Sequence, residues 1–174
     1  MAYPAKRRMA SRKRESGDDG EAAKRIAFRF LSYRSRSVDE VRGKLIGSGF
    51  SPAVVESALA RITELGYLND YEHALNYGRC CIEQKLWGAT RIQDALLKKG
   101  VAAGIVASAL QALGREHDFS RVARRALESR FSPEDIQAPA GKNKRRQAIA
   151  FLLRKGFAWD TIADAINSGD DTFT

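Results

Sequence analysis

Cysteine is scarce in this chain, and the only two, Cys80 and Cys81, are neighbours. Adjacent positions in a helical stretch close no ordinary disulfide and supply no two-plus-two metal site, so neither is expected to hold the fold. Histidine is as rare. His73 and His117 stand far apart, without a Cys or carboxylate at ligand spacing, which gives no reason to assign a metal. Long apolar runs are missing too: none approaches the roughly 18 residues of a spanning helix, and the basic N-terminus is not followed by the apolar core of a signal peptide. A reduced, cytoplasmic chain with no membrane partner is the expectation. The GxxxxGK[ST] loop that cradles nucleotide phosphates is absent. The acidic pairs Asp39/Glu40 and Glu134/Asp135 fall in expected first helical turns, where they complement the helix dipole better than they serve acid-base chemistry. The sequence therefore nominates no catalytic residue, no cofactor and no metal ligand, and it is expected not to be an enzyme.

What the chain does have is positive charge and repetition. Its 174 residues carry 30 Lys and Arg against 21 Asp and Glu, a net charge of +9. Such a balance favours polyanionic or acidic partners, nucleic acid first among them. About half of the excess lies in the first 25 residues, a segment without apolar periodicity, so residues 1–20 are expected to be a flexible arm.

Sliding the chain on itself by 51 residues pairs VDEVRGKLIGSGFSPAVVESAL (38–59) with ATRIQDALLKKGVAAGIVASAL (89–110), and a further 56 adds RRQAIAFLLRKGFAWDTIADAI (145–166). Val41, Ile92 and Ala148 coincide, as do Leu45, Leu96 and Leu152, and then Val55, Val106 and Ile162. The apolar spacing is helical on both sides of Gly49, Gly100 and Gly156, which are placed to end the first helix of each pair in a left-handed turn. Ser37 with Glu40 reads as a capping box, and Ser51 with Pro52 as a cap and a first-turn proline; Asn69 or Asp70 can cap another helix. A further amphipathic stretch precedes each pair, so the unit has three helices. The expected fold is all-α: three tandem three-helix, helix-turn-helix-like repeats (21–68, 69–115, 116–168) forming an elongated curved array, with a tail at 169–174. Residues 132–146 are expected to be a loop carrying four cations.

Basic residues recur at one place per unit. Lys98 and Lys99 precede Gly100, and Arg154 and Lys155 precede Gly156. Such cations suit a helix C-terminus by about 0.3–1 kcal/mol without any partner. Yet Arg34, Arg36, Arg42, Lys44, Lys85, Arg91, Lys142, Lys144, Arg145 and Arg146 also gather around the entries to the middle helices. Together they predict a partner-binding basic stripe. Trp87 and Trp159 are expected in the core or at an interface.

The segments YRSRSVDEVRGKLIGSGF (33–50), ELGYLND (64–70), YEHALNYGR (71–79), KLWGATRIQDALLKKGV (85–101) and FLLRKGF (151–157), in that order, resemble the RecX family, bacterial regulatory proteins of the RecA recombinase. The resemblance spans roughly residues 22–167. It implies a crescent of three tandem three-helix units that binds the groove of the RecA filament on DNA, and the chain is expected to be monomeric. Filament extension would be blocked and RecA's ATPase and strand exchange inhibited, a role in DNA repair, recombination and the SOS response. Weak non-specific contact with single- or double-stranded DNA is implied as well, and no cofactor. At the family's basic positions stand Arg34, Arg36, Lys44, Arg79, Lys85, Arg91, Lys98, Lys99, Arg154 and Lys155. Gly47 and Ser48 replace basic residues usual before Gly49, which points to weaker binding by the first copy than by the second, while Cys81 replaces an Arg and His73 a Phe, a change that bears on the packing of the second unit's first helix. The alternatives are a direct DNA-binding helix-turn-helix transcriptional regulator and an adaptor for acidic helices.

Overall fold

The computed structural model describes residues 16–132 and 142–167, which form helices and no strand. The first repeat holds α1 (Ser16–Leu31), α2 (Val38–Gly47) and α3 (Pro52–Glu64). The second holds α4 (Asp70–Lys85), α5 (Ala89–Lys98) and α6 (Ala103–Glu116), and the third α7 (Phe119–Glu128), α8 (Lys142–Lys155) and α9 (Trp159–Asn167). In each, the first helix lies mainly against the third, and the second completes a three-helix bundle. Two compact units result, divided between Leu68 and Asn69: the first repeat is one, and the second and third together are the other.

The repeat-defining residues are the ones that pack. Val41, Leu45, Val55, Leu59 and Ile62 are buried in the first unit with Ala23 and Ala27. Ile92, Leu96, Val106, Leu113, Leu152 and Ile162 are buried in the other, in one continuous core that joins the second and third repeats. Each such Leu or Ile contributes about 1.5–3 kcal/mol through burial. His73, buried on α4 at 3% exposure, packs beside Tyr77 without disturbing its helix, whose Ala74, Leu75, Cys81 and Ile82 are also buried. Burial also pushes the Cys81 thiol up from its ordinary value.

Helix ends follow the sequence signals. Ser37 and Glu40 form the capping box, Ser51 caps α3 ahead of Pro52, and the Asn69 side chain accepts from the amides of Tyr71 and Glu72. Gly49, Gly100 and Gly156 take positive φ (90°, 76° and 83°). The next amide then donates back over the turn, Val101 N to Leu96 O at 3.2 Å and Phe157 N to Leu152 O at 3.2 Å, which returns an apolar side chain to the core. Two boundaries differ from expectation. Residues 16–20 extend α1 rather than belonging to the arm, while 1–15 and 168–174 lie outside the described residues. Lys142, Lys144, Arg145 and Arg146 ride on the first turns of α8, not on a loop, because the helix propensity of Lys, Arg, Gln and Ala in this run outweighs the unfavourable placing of cations at a helix start. Residues 133–141 of that expected loop lie outside the described residues.

Two helix starts break the pattern: neither Gly88 before α5 nor Ala102 before α6 supplies a side-chain cap. At the position equivalent to Ser37 stands Gly88, which has no side chain with which to cap α5. Its amide instead donates to Lys155 O at 2.8 Å, and the Thr90 amide donates to Gly156 O at 3.1 Å. The negative end of α8 thus satisfies the positive end of α5, and hydrogen bonds worth about 0.5–1.5 kcal/mol each join the two repeats. The approach is so close that a Cβ on Gly88 would overlap the Gly156 carbonyl. Gly88→Ala should therefore lower unfolding stability by about 1–3 kcal/mol, as overpacking does. Gly114→Ala, in open space on α6, should raise it by about 0.5–1 kcal/mol. Denaturant midpoints of the two variants check both signs.

Candidate functional site

Where α5 meets α8, the junction opens into a cleft of about 410 Å³. Its placement follows from the end of α4. Leu86 adopts a left-handed conformation (φ 51°), at a cost of about 1–2 kcal/mol for a residue with a Cβ. The turn lets the Trp87 amide donate to Cys81 O at 3.1 Å and packs Leu86 and Trp87 on the core of the second and third repeats.

Cations converge on that indole. The Lys85 ammonium lies 4.7 Å from the Trp87 ring centroid and the Arg91 guanidinium 4.2 Å from it. Arg91 also donates to Arg154 O at 2.9 Å, and Lys155 donates to Lys85 O at 2.7 Å, so two side chains cross-link the same pair of repeats in opposite directions. Partial burial, and after it the Arg91 charge, hold the Lys155 ammonium below its ordinary value. Lys99 is half-buried, its ammonium 5.3 Å from the Tyr77 ring. Lys98 and Arg154 line the cleft, are exposed, and find no hydrogen-bond or ion-pair partner for their side chains among the described residues. Six candidates from two distant stretches, 85–99 and 154–155, are thereby gathered into one junction.

The other candidates are placed differently. Arg34 and Arg36 both reach Glu40, at 3.2 and 3.6 Å, and Arg36 also lies over Phe30. Arg42 meets Glu56 at 2.8 Å and Asp39 at 3.3 Å, and Arg79 grips Glu116 through two bonds of 2.8 Å, tying α4 to α6. Lys44 is exposed in the last turn of α2. Lys142, Lys144, Arg145 and Arg146 are exposed at the start of α8, where Arg145 donates to Asn167 Oδ1 at 3.0 Å. Four cations there oppose the helix dipole, so the fold draws no local benefit from them. Among the described residues no cluster of His, Cys, Asp and Glu is arranged to hold a metal, and no helix is long and apolar enough to cross a membrane.

The comparisons with known proteins agree on one family. A model of the first three-helix domain of RecX matches residues 23–61, which run from α1 into α3. The regulatory protein RecX of Deinococcus radiodurans is 33% identical over 172 residues, or 99% of this chain and 78% of that protein. The chain belongs to the RecX family. The regulatory protein RecX of Halorhodospira halophila is 30% identical over 157 residues, 90% of this chain and 94% of its own length. The crystal structure of RecX from Lactobacillus salivarius matches with a TM-score of 0.78 at 25% identity, over 88% of this chain and 97% of that one. The chain is thus a RecX-type regulatory protein with a RecX fold.

Sequence reasoning missed Gly88, Thr90, Asp94 and Leu153 as parts of the junction, and gave Trp87 no role in presenting cations. One signal was there: copy two has Gly where copy one has a capping Ser, which leaves a helix start for something else to complete. Arg79 and Glu116 provide the test of a purely structural pair. Hydrogen bonds from Arg79 hold the Glu116 carboxyl below its ordinary value of 4.5. The folded chain therefore binds that proton less readily than the unfolded chain, and the pair adds stability above pH 4.5 that fades as pH falls through the lower folded value. Glu116→Gln should destabilise the protein near neutral pH and converge with the unmodified chain in acid, as thermal melts across that range will register.

Proposed function

We propose that this chain is a non-catalytic modulator of the RecA recombinase. It binds along the groove of the RecA filament on DNA, blocks filament extension and inhibits RecA ATP hydrolysis and strand exchange, so regulating recombinational repair and the SOS response. The observation that carries this reading is the junction cleft, where cations brought from two repeats stand together and the side chains of Lys98 and Arg154 lack protein partners among the described residues. A surface of this sign is drawn to acidic protein and phosphate over several ångströms and weakens with salt. The contact residues assigned are Lys44, Lys85, Arg91, Lys98, Lys99, Arg154 and Lys155, with the α8 cations Lys142, Lys144, Arg145 and Arg146 as a second group. Arg34, Arg36, Arg42 and Arg79 support the fold first, because carboxylates already engage them. The protein acts as a cytoplasmic monomer, without cofactor, and touches DNA weakly and without sequence preference.

The distribution of charge weighs against a sequence-reading transcriptional regulator. Such a protein presents donors on the helix that enters the major groove, the last of a three-helix unit. Here α3 exposes Glu56 and Glu64 with Arg61, α6 exposes Arg115 and Glu116, and α9 exposes Asp160 and Asp164. The cations sit on the middle helices and their flanks instead. Substoichiometric addition of this protein to RecA hydrolysing ATP on single-stranded DNA should strongly inhibit it. Lys98→Glu with Lys99→Glu should raise the half-inhibitory concentration about tenfold, equivalent to about 1.4 kcal/mol. No inhibition at equimolar protein, together with tight binding to one particular duplex sequence, would show the regulator reading to be the right one.

A further inference from the structure

We propose that the cleft between α5 and α8 docks an acidic, leucine-bearing segment of a protein partner, which names the contact chemistry of the proposed regulatory function and rests on that reading for the partner's role. The cleft has two chemistries. Leu153 on its α8 wall is 50% exposed, and Ala95 on its α5 wall continues the apolar surface beside the Trp87 indole, whose faces Lys85 and Arg91 cover. Around it stand Arg91, Lys98 and Arg154. An aliphatic anchor removes the apolar surface from water, and carboxylates on either side of it meet the rim.

Nucleic acid fits this cleft less well. Single strands bind where aromatic faces are open for bases to stack, but Lys85 and Arg91 already lie over the Trp87 ring, and the remaining apolar surface is aliphatic. A carboxylate, Asp94, also lines the cleft, with no hydrogen-bond or ion-pair partner among the described residues. It would repel a phosphate, whereas a peptide offers it amide or hydroxyl donors. Two walls supplied by neighbouring helices and cations at the margin are the arrangement into which an amphipathic helix lays its apolar side.

The test uses the full chain carrying Trp159→Phe, so that Trp87 alone reports by fluorescence. The probe is a synthetic peptide of about a dozen residues, Glu and Asp with leucines one helical turn apart. A second peptide replaces the leucines by serine, and a third probe is oligo(dT). The leucine peptide should change Trp87 emission saturably. The serine peptide should bind at least about tenfold more weakly, and Leu153→Ser and Arg154→Glu, both on the surface, should each weaken the leucine peptide about fivefold or more. Equal binding of the two peptides, or binding indifferent to Leu153→Ser, overturns the proposal. So does oligo(dT) that displaces the peptide and is itself insensitive to Leu153→Ser, which assigns the cleft to nucleic acid. RecA ATP hydrolysis measured alongside separates the two readings. Inhibition without peptide binding removes the docking site alone, and peptide binding without inhibition keeps the site and removes the RecA reading.

Discussion

An uncapped helix start organises the larger unit of this protein. The first turn of any helix leaves amides without intrahelical partners, and a polar side chain ordinarily supplies one of the missing acceptors. Gly88 withdraws that option from α5, and the carbonyls of Lys155 and Gly156 fill it. Because the acceptors belong to α8, completing one helix requires the next repeat to be in place. A lone three-helix unit of this size is near the lower limit for independent folding, and backbone hydrogen bonds combined with a common core give the second and third repeats a stability that neither holds alone. The first repeat, with Ser37 and Glu40 closing its own middle helix, has no such dependence within the contacts described.

The same docking creates the site. Arg91 reaches across to Arg154 O and Lys155 reaches back to Lys85 O, so cations that would repel one another at this spacing are held by neutral carbonyl oxygens. Carbonyl oxygens accept hydrogen bonds without cancelling charge, so the field of these residues stays available to a partner. Arg34, Arg42 and Arg79 are treated oppositely: carboxylates engage them and their charge is largely cancelled at short range. The distinction between a stapled cation and a neutralised one separates Arg91 and Lys155 of the junction from Arg34, Arg36 and Arg42 of the first repeat. It fits the substitution of Gly47 and Ser48 for cations in copy one.

Much of the fold was legible because its signals are local. Helical periodicity, the Ser37–Glu40 box and the left-handed glycines each report on a few consecutive residues, and the repetition of the pattern multiplies that information. The site was legible only in part. Lys98 and Arg154 were nominated as charges near helix ends, but nothing local says that two stretches over fifty residues apart meet, or that Glu116 occupies Arg79. Leu86 was invisible for a related reason: its left-handed turn runs against the preference of its own side chain, and burial of Leu86 and Trp87 on the core is what sustains it. The start of α8 is hard to place from sequence because Lys142, Lys144, Arg145 and Arg146 follow closely on Pro139 and Gly141, and a run of charge beside such residues carries no apolar periodicity to mark a helix.

These facts bear on why the repeats diverge. If each unit had only to fold, a capping Ser in copy two would serve as well as Gly and would leave α8 free to dock or not. Gly at this position forbids a Cβ where the Gly156 carbonyl lies, and Gly156 in turn leaves room for the Arg91 backbone. Two glycines therefore fix the separation of α5 and α8, and with it the width of the cleft and the spacing of Lys98 and Arg154. A binding surface assembled from two small bundles would ordinarily flex at the join. Here the join is made of backbone contacts that tolerate little displacement, so the charges and the exposed Leu153 are presented in a fixed arrangement and little ordering is left to be done on binding.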